Sequence, residues 1–362
     1  MMQTLLKVNN KLHQYYQNIY RKKRIECLDN ILAKERITNG TVLNFEQKRK
    51  VNEIWGKYIQ QISYYSFAFY LEKTKIFSPL FVPDAYHYYY IDMVLNDWDL
   101  AKYIDNKCYY PRLFEGVALP SMIGYRINGY WYDETDSIVG FDKIIEGVFY
   151  NKDCFIKKAT ESYGGKGVFY FRPKDNNVED LKRVIEPIKS DIVIQKSIKQ
   201  SDVLAKLSAS SVNTIRVISL LRKDGSVKIY SIILRMGIGN SKVDNASSGG
   251  ITCGVRDDGR LKSVAYSAKG VRFDEHPTSH VHFDEIIIPS IEDIKELVYK
   301  LHPKFPHFRL VSWDVALDVE NKPVLIEANL HDGEVDFHQL NNGPLFKDDT
   351  MDILNECFES NK

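Results

Sequence analysis

Two carboxylates and an amide near the end of the sequence are spaced so that one strand hairpin would bring them together. Two strand-like segments flank a turn at residues 320–322, and a turn centred on Glu320-Asn321 would place Asp314 directly opposite Glu327. Asn329 would lie two residues further along the same face. Opposed carboxylates destabilise each other unless they are protonated or share a cation. Three hard oxygen ligands, with positions left for water and phosphate, suit Mg²⁺ rather than zinc, provided that the register is not shifted by one residue.

A second hairpin would bring two arginines together. Asp224-Gly225 is a strong turn signal between two apolar segments. Pairing about that turn places Thr214 opposite Arg235, so that Arg216 lies diagonal to Arg235 on the same face. Two like charges so placed repel unless an anion lies between them, which favours a site for an oxyanion or a phosphate group. The alternative is that one arginine points into solvent.

A glycine-containing loop lies between two short apolar strands. The first strand ends at Lys157-Lys158, and the loop that follows contains Gly164-Gly165-Lys166-Gly167. Glycine permits positive φ and close backbone approach, so N–H groups in such a loop can cradle phosphate oxygens. The loop is not a P-loop, because Gly167 stands where that motif requires Ser or Thr and because no helix opens there. Taken alone, the loop is equally compatible with a plain hairpin turn.

The composition is that of a soluble globular protein. The chain has 362 residues, of which 44% are hydrophobic and 27% charged, so we expect two or three domains with sizeable cores. Its five cysteines are far apart, which argues against a disulfide framework or a Cys-type zinc site. No apolar run approaches the roughly 18–20 residues that span a bilayer, and no signal-peptide pattern opens the chain, so we expect a cytoplasmic protein. The net charge of +1 argues against a protein that is cationic overall, and we expect no nucleic-acid partner.

The near-zero net charge hides a basic N-terminal segment. Residues 1–60 contain 12 Lys and Arg against 5 Asp and Glu, including the runs Arg21-Lys22-Lys23-Arg24 and Lys48-Arg49-Lys50. The simpler interpretation is a solvated helix face. The alternative is a docking surface for an anionic partner: an acidic glycan, a lipid-linked precursor or the inner face of a membrane.

The pattern of elements changes near residue 105. Up to about residue 75, apolar spacing and the absence of proline predict helices, and a Tyr-rich stretch follows. Beyond that point short strands alternate with helices, which is typical of the α/β or α+β class. A group of three histidines (His276, His280 and His282) falls in a loop-like segment without a fourth ligand, so we favour a surface or substrate-contact role over a zinc site.

The order of these motifs resembles that of the ATP-grasp superfamily, as in D-alanine–D-alanine ligase and its relatives. The resemblance covers roughly residues 101–340 and implies an α+β fold whose two lobes clamp ATP. It also implies the following site residues: phosphate contacts at Lys107, Lys157, Gly164, Gly165 and Lys166, adenine and ribose contacts at Gln195, Lys196, Ile198 and Asp202, and Mg²⁺ ligands at Asp314, Glu327 and Asn329.

One position departs from the superfamily pattern. Lys158 follows Lys157 where many ATP-grasp proteins have proline. Strand alternation allows only one of the two lysines to face the nucleotide. We choose Lys157 from its position in the motif.

Three further motifs resemble the sugar-transfer-associated ATP-grasp family. They are residues 211–217, Asp244-Asn245 with Gly249-Gly250-Ile251, and His338-Gln339 with Gly343-Pro344-Leu345-Phe346. That family is typically linked with capsule, exopolysaccharide or O-antigen synthesis. The likeness implies substrate contacts at Asn213, Asn245, Gly249, Gly250, Asp332 and Gln339. It implies three regions: a helical, basic, Tyr-rich region at 1–100, a first lobe at 101–190 and a second lobe at 191–362.

The resemblance implies an ATP-dependent carboxylate–amine ligase with ATP and two Mg²⁺ ions as cofactors. Arg216 and Arg235 would hold the carboxylate, the transferred phosphoryl group and the oxyanion, and His331 or Asp332 would be the nearest candidate base. The implied substrates are a carboxylate-bearing glycan or sugar precursor and an amine from an amino acid or amino sugar. Two alternatives stay open: a sugar phosphotransferase, which needs the same groups, and a catalytically silent nucleotide-binding partner of a glycosyltransferase.

Overall fold

The computed structural model describes residues 33–151, 153–160, 167–242, 244 and 249–359. The α-helices are α1 (Phe45–Trp55), α2 (Tyr65–Thr74), α3 (Asp84–Tyr86), α4 (Asp92–Leu95), α5 (Trp98–Ile104), α6 (Tyr110–Leu113), α7 (Phe141–Tyr150), α8 (Val178–Ile185), α9 (Asp202–Ala205), α10 (Ile291–Leu301), α11 (Asp336–Asn342) and α12 (Thr350–Glu359). The strands are β1 (Met122–Ile127), β2 (Tyr130–Asp133), β3 (Ile138–Val139), β4 (Cys154–Lys158), β5 (Val168–Phe171), β6 (Ile192–Lys196), β7 (Thr214–Leu221), β8 (Val227–Met236), β9 (Ile251–Val255), β10 (Leu261–Ser267), β11 (Arg272–Phe273), β12 (Leu310–Leu317) and β13 (Pro323–Asn329).

The chain divides into two compact units. One contains the described residues up to 95 together with those from 334 onward, and the other contains the described residues from 96 to 333. The C-terminal helices α11 and α12 thus belong with the N-terminal segment, whereas the sequence analysis assigned them to the second lobe. The reason is local packing: buried groups of α11 bond to residues far earlier in the chain, as Gln339 does with Tyr70.

The N-terminal unit is helical in its described part. Helix α1 begins at a capping box in which the side chains of Asn44 and Gln47 each accept a hydrogen bond from the other's backbone N–H. Its core is rich in aromatic side chains, and Trp55 and Tyr70 are completely buried. Within the described ranges, no helix combines the length and the apolar character that crossing a membrane requires.

The first sheet has the antiparallel strand order β3-β2-β1-β6-β4-β5. One face packs against α7 and α8 through side chains such as Ile156 and Ile194. The other face carries a small cluster that includes Tyr125, Val193 and Cys108. Strand β6 lies inside this sheet, although the sequence analysis placed residues from 191 onward in the second lobe, because β6 pairs with both β1 and β4.

The second sheet has the antiparallel order β11-β10-β9-β8-β7-β12-β13. All eight residues of β12 are buried between β7 and β13. Trp313 and Val315 pack into the main hydrophobic core with α10. Because side chains alternate along a strand, Asp314 lies on the opposite face.

Both predicted hairpins form, each around a three-residue loop. The loop between β7 and β8 is residues 223–225, closed by Gly225 at φ +84°, and the loop between β12 and β13 is residues 319–321, closed by Asn321 at φ +62°. Each three-residue loop shifts the pairing next to it by one residue. A β-bulge in each hairpin then shifts the pairing back.

Candidate active site

A row of charged side chains crosses one face of the second sheet. Arg216 of β7 lies opposite Asp314 of β12, which in turn lies opposite Glu327 of β13. Arg235 lies diagonal to Arg216, and Asn329 lies two positions beyond Glu327. The register predicted for both hairpins at these positions is therefore confirmed.

The anion between the two arginines is the carboxylate of Asp314. Arg216 donates from Nε to Oδ1 and from Nη2 to Oδ2, each at 2.7 Å, and Arg235 donates from Nη1 to Oδ2 at 2.9 Å. The three side chains are at most 8% exposed. Burial opposes the charge on the carboxylate, but the two guanidinium groups outweigh it and hold the pKa of Asp314 well below its usual range. The predicted oxyanion-binding pair is thus already paired with a carboxylate of the protein.

Lys107 contacts both the first sheet and the carboxylate row, as we call the neighbouring side chains of Asp314 and Glu327. Its backbone N–H donates to the carbonyl of Ala159, just after β4, at 3.0 Å. Its ammonium donates to Oε1 of Glu327 at 2.6 Å, and the lysine is buried. Burial disfavours the ammonium ion, but the charges of Glu327 and Asp105 outweigh it and raise the pKa of Lys107. Lys107 therefore reaches the residue pair predicted to hold metal.

Asp105 is a site residue to which the sequence analysis gave no role. Its carboxylate accepts a hydrogen bond from the hydroxyl of Tyr110 at 3.2 Å. Burial, with the charge of Glu327 adding to it and that of Lys107 opposing it, raises the pKa of Asp105 to about 6. Its position two residues before Lys107 was the signal that could have identified it.

Lys157, and not Lys158, faces the charged cluster. Lys157 pairs with Val193, which belongs to the cluster on the open face of the first sheet. Lys158 pairs with Ile192, which packs on the helix-covered face. Burial and the nearby charge of Lys107 lower the pKa of Lys157 to about 8, although Glu327 opposes this shift.

The three predicted metal ligands supply hard oxygen donors from one sheet face. Asn329 donates from Nδ2 to the carbonyl of Ser312 at 3.0 Å, which leaves Oδ1 directed away from that strand. The Glu327 side chain is 23% exposed, whereas Asp314 is buried with both oxygens bonded to arginine. In the described part of the chain, no group of three or more His, Cys, Asp and Glu could hold a metal ion, so the set depends on the amide of Asn329. Carboxylate and amide oxygens fit Mg²⁺, with Glu327 and Asn329 the more accessible ligands.

Asp244 is a second residue without a predicted role. It accepts hydrogen bonds from the backbone N–H of Thr214, at 3.2 Å, and from its hydroxyl. Its other oxygen lies 3.9 Å from Nη2 of Arg235. Gly249, exposed at φ +100°, and the buried Gly250 follow on the same loop. Asn245 of this loop and Gly164, Gly165 and Lys166 of the glycine loop lie outside the described residues.

The predicted adenine segment runs from the first sheet to the second. Gln195 and Lys196 end β6, and the N–H of Ser201 donates to the carbonyl of Leu317 in β12 at 2.9 Å. Ile198 between them is half-buried, and Asp202, the predicted ribose contact, is exposed at the start of α9. These positions are compatible with the predicted nucleotide contacts, which stay predictions.

Two predicted substrate contacts are buried and bond to other residues of the protein. Asn213 is completely buried, and its Nδ2 donates to the side chain of Gln200 and to two backbone carbonyls. Gln339 is completely buried in the N-terminal unit, where its amide bonds to Tyr70 and to both backbone groups of Val82. Both amides thus bond within the protein interior, and the substrate roles of these two residues stay predictions.

His331 and Asp332 lie shortly after β13, the strand that contains the predicted metal ligands Glu327 and Asn329. Nδ1 of His331 is 3.0 Å from Oδ2 of Asp332, and its ring packs against Trp98. Their roles as base or substrate contact stay predictions.

The three histidines considered for zinc support a loop. His276 is buried and bonds to the carbonyl of Gly237, and His280 forms an exposed pair with Glu275. The predicted surface role is therefore wrong for His276, which is completely buried, whereas His280 is exposed as predicted.

Comparison with known proteins identifies the family. The sequence model of the sugar-transfer associated ATP-grasp family matches residues 88–353. Because this match covers well over half of the chain, the protein belongs to the sugar-transfer associated ATP-grasp family. The search of curated proteins finds no match.

Solved structures of other proteins match parts of this chain at low sequence identity. The biotin carboxylase domain of the 2-oxoglutarate carboxylase from Hydrogenobacter thermophilus is 12% identical with a TM-score of 0.44, over 73% of this chain and 47% of that one. The N5-carboxyaminoimidazole synthetase from Staphylococcus aureus, solved with ADP, is 10% identical with a TM-score of 0.41, over 73% and 54%. D-cycloserine synthetase DcsG is 11% identical with a TM-score of 0.43, over 74% of each chain. The chain spans about half the length of the first two.

Proposed function

We propose that the protein is an ATP-dependent ligase that activates a carboxylate and transfers it to an amine. The observation that carries the proposal is the convergence of four cations on one carboxylate row. Lys107, Arg216 and Arg235 donate hydrogen bonds to the two carboxylates, and Lys157 lies on the face of the first sheet that carries Val193 and Cys108, the residue next to Lys107. Four cations around two acidic side chains suit a polyanionic substrate together with a divalent metal.

The proposed reaction has two steps. First, an oxygen of the acceptor carboxylate attacks the γ-phosphorus of ATP, the bond from that phosphorus to the β–γ bridging oxygen breaks, and ADP leaves. The amine nitrogen then attacks the acyl carbon, the carbon–oxygen bond to phosphate breaks, and the amine loses a proton. Lys107 and Lys157 would neutralise phosphate oxygens, and the two arginines would hold the carboxylate and the developing oxyanion.

Magnesium has a natural place in this arrangement. Glu327, Asn329 and Asp314 would hold it, and when bound it offsets the negative charge of the phosphates. The two ions implied by the family likeness stay a prediction, which metal titration in the presence of ADP would check.

The biological role is proposed from the family name. A carboxylate-bearing glycan or sugar precursor would be the acceptor, and an amino acid or amino sugar the amine, in surface polysaccharide synthesis. A cytoplasmic location, including the inner face of the membrane, is part of the same proposal.

The test is a screen of Mg·ATP with sugar acids and amines, in which product mass and nucleotide are read together. Loss of water on joining two substrates, with release of ADP and phosphate, supports the ligase. An added phosphoryl group would instead identify a sugar phosphotransferase. Release of ADP that no acceptor stimulates would favour the silent nucleotide-binding partner.

Glu327→Gln tests the metal assignment. We expect a folded protein that has lost Mg·ATP turnover, because one metal ligand and the partner of Lys107 are both changed. Asp314→Asn should have the same effect. Glu320→Gln, an exposed position in the loop between β12 and β13, is the matched control and should keep full turnover. Wild-type activity of folded Glu327→Gln would exclude the assignment.

A further inference from the structure

Each acidic side chain predicted to bind metal is held by a cation predicted to bind the substrates. Asp314 forms ion pairs with Arg216 and Arg235, and Glu327 forms one with Lys107. The fork of two 2.7 Å bonds from Arg216 is the geometry in which a guanidinium group binds carboxylates in general. Asp314 therefore occupies the position that a substrate carboxylate or phosphate would take on this pair.

We propose that Asp314 is an internal surrogate for the substrate oxyanion, and that metal and nucleotide bind by exchanging these ion pairs. A divalent cation takes the carboxylates of Asp314 and Glu327 and thereby releases Arg216, Arg235 and Lys107. Oxygens of phosphate or of the acceptor carboxylate then take the released cations. This inference rests on the proposed function, because it assumes that Mg²⁺ and a nucleotide are the ligands.

Burial favours a coupled exchange. Removing the Asp314 carboxylate from buried guanidinium groups is costly, and the arrival of a cation together with an anion keeps the buried charges balanced. Metal alone would take away the carboxylate that now neutralises both guanidinium groups, and nucleotide alone would compete with Asp314. Metal and nucleotide should accordingly bind with positive coupling, and the acceptor carboxylate should find its arginines only after the metal is bound.

The experiment measures ADP affinity by calorimetry at pH 7.5, in EDTA and in excess Mg²⁺. Asp314→Asn and Glu327→Gln remove an internal competitor, so we expect both to bind ADP in EDTA at least about fivefold more tightly than the wild type. The increase in ADP affinity on adding Mg²⁺ should be smaller in both variants than in the wild type. Arg235→Gln introduced into Asp314→Asn should reverse that variant's gain.

Two controls separate exchange from a general change of charge. Glu320→Gln lies in the loop of the same hairpin and should leave ADP affinity unchanged. Asp105→Asn removes an acidic group of the same cluster that is bonded to a tyrosine and not to arginine, so it should tighten binding less than Asp314→Asn does. Equal effects of Asp105→Asn and Asp314→Asn, or no gain in either predicted variant, would overturn the proposal.

The outcome is independent of whether the ligase reaction is correct. Circular dichroism will show whether Asp314→Asn folds. If it does not, the ADP affinity of Glu327→Gln decides the question, because Glu327 is less buried than Asp314 and its substitution removes a single ion pair. Failure of the wild type to bind Mg·ADP, or to join any acid and amine, would count against the proposed function. In that case inorganic phosphate replaces ADP as the probe, and unchanged phosphate affinity in Asp314→Asn would still refute the surrogate role.

Discussion

Lys107, which is buried, and Lys157, which is half-buried, show how neighbouring groups decide the charge of a lysine. Burial favours the neutral amine in both. Lys107 has Glu327 at 2.6 Å and keeps its proton, with a raised pKa. Among the described residues Lys157 forms no ion pair, and its pKa is lowered to about 8. A bound phosphate would place a negative charge beside Lys157 and raise its pKa. Lys157 should therefore take up a proton when a nucleotide binds.

The depressed pKa of Lys157 predicts pH-dependent nucleotide binding. The ammonium form is present below about pH 8 and is lost above it, so ADP affinity should fall as the pH rises from 7 to 9. Binding near pH 8.5 should also take up protons, which calorimetry in buffers of different ionisation enthalpy measures. Lys157→Arg keeps its charge at these pH values and should abolish the proton uptake.

Lys158→Arg is the matched control for that experiment, because it changes the neighbouring lysine on the opposite sheet face. It should leave proton uptake unchanged. Equal uptake in the wild type and in Lys157→Arg would contradict the assignment of Lys157.

At the scale of elements, the two hairpins share one device. Each has a three-residue loop that ends in a left-handed residue, Gly225 or Asn321, and each has a β-bulge that shifts the pairing by one residue. The loops alone would place Asp314 opposite residue 326 and would direct Glu327 to the other face. The bulge in β13 restores the pair, and the bulge in β8 does the same for Arg235. The carboxylate row therefore depends on bulges as much as on turns.

The loop conformation can be tested at Gly225. A Cβ there would meet no neighbouring atom, so the cost of a side chain is the backbone strain at φ +84°. Gly225→Val should lower the free energy of unfolding by about 1–2 kcal/mol. Gly225→Asn should lower it much less, since asparagine occupies the equivalent position at Asn321. Urea unfolding measures both, and equal losses would contradict the strain argument.

At the scale of the whole molecule, the large core beside the second sheet contains a buried polar chain. Trp313 donates to the hydroxyl of Ser219 at 2.8 Å, that hydroxyl lies 2.7 Å from Nδ1 of His302, and Nε2 of His302 lies 3.0 Å from the carbonyl of Phe308. These partners suit a neutral ring that accepts at Nδ1 and donates at Nε2. Burial lowers the pKa of His302 to about 4, although the hydrogen bond to Phe308 opposes this shift.

This histidine should make the fold sensitive to acid. The folded protein keeps His302 neutral down to about pH 4, while the unfolded chain takes up the proton near pH 6.5. Stability is therefore complete above about pH 6.5 and falls between there and pH 4, by about 3 kcal/mol from this group. His302→Gln, which can donate and accept without titrating, should lose less over that range in urea unfolding. Parallel profiles of the two proteins would contradict the prediction.

The basic N-terminal segment is a separate feature of the whole chain. Residues 1–32, which hold six of its basic and two of its acidic residues, lie outside the described part. From residue 33 onward the chain is built into the N-terminal unit, since Ala33 and Leu43 are buried and Arg36 pairs with Asp336. A test of the proposed anionic partner should therefore remove residues 1–32 and no more.

We expect that deletion to weaken binding to vesicles that contain anionic lipid, because charge attraction to the surface is reduced. ADP affinity should not change, and neutral vesicles provide the control. Undiminished binding to anionic vesicles and to acidic glycans in a co-sedimentation assay would remove the segment from consideration.

The sequence by itself determined the family, the α+β class and the local chemistry of the site. Turn signals located both hairpins from neighbouring segments, and the predicted pairs Asp314–Glu327 and Thr214–Arg235 form because the three-residue loop and the β-bulge of each hairpin cancel. Only the tertiary structure decided which groups are free to act. Asn213 and Gln339 match the family motifs, but both are buried. Arg216 and Arg235 already form ion pairs with Asp314. The physical reason is that burial and ion pairing depend on segments that can lie far apart in the sequence, as Lys107 and Glu327 do at 220 residues, and no local pattern encodes that proximity.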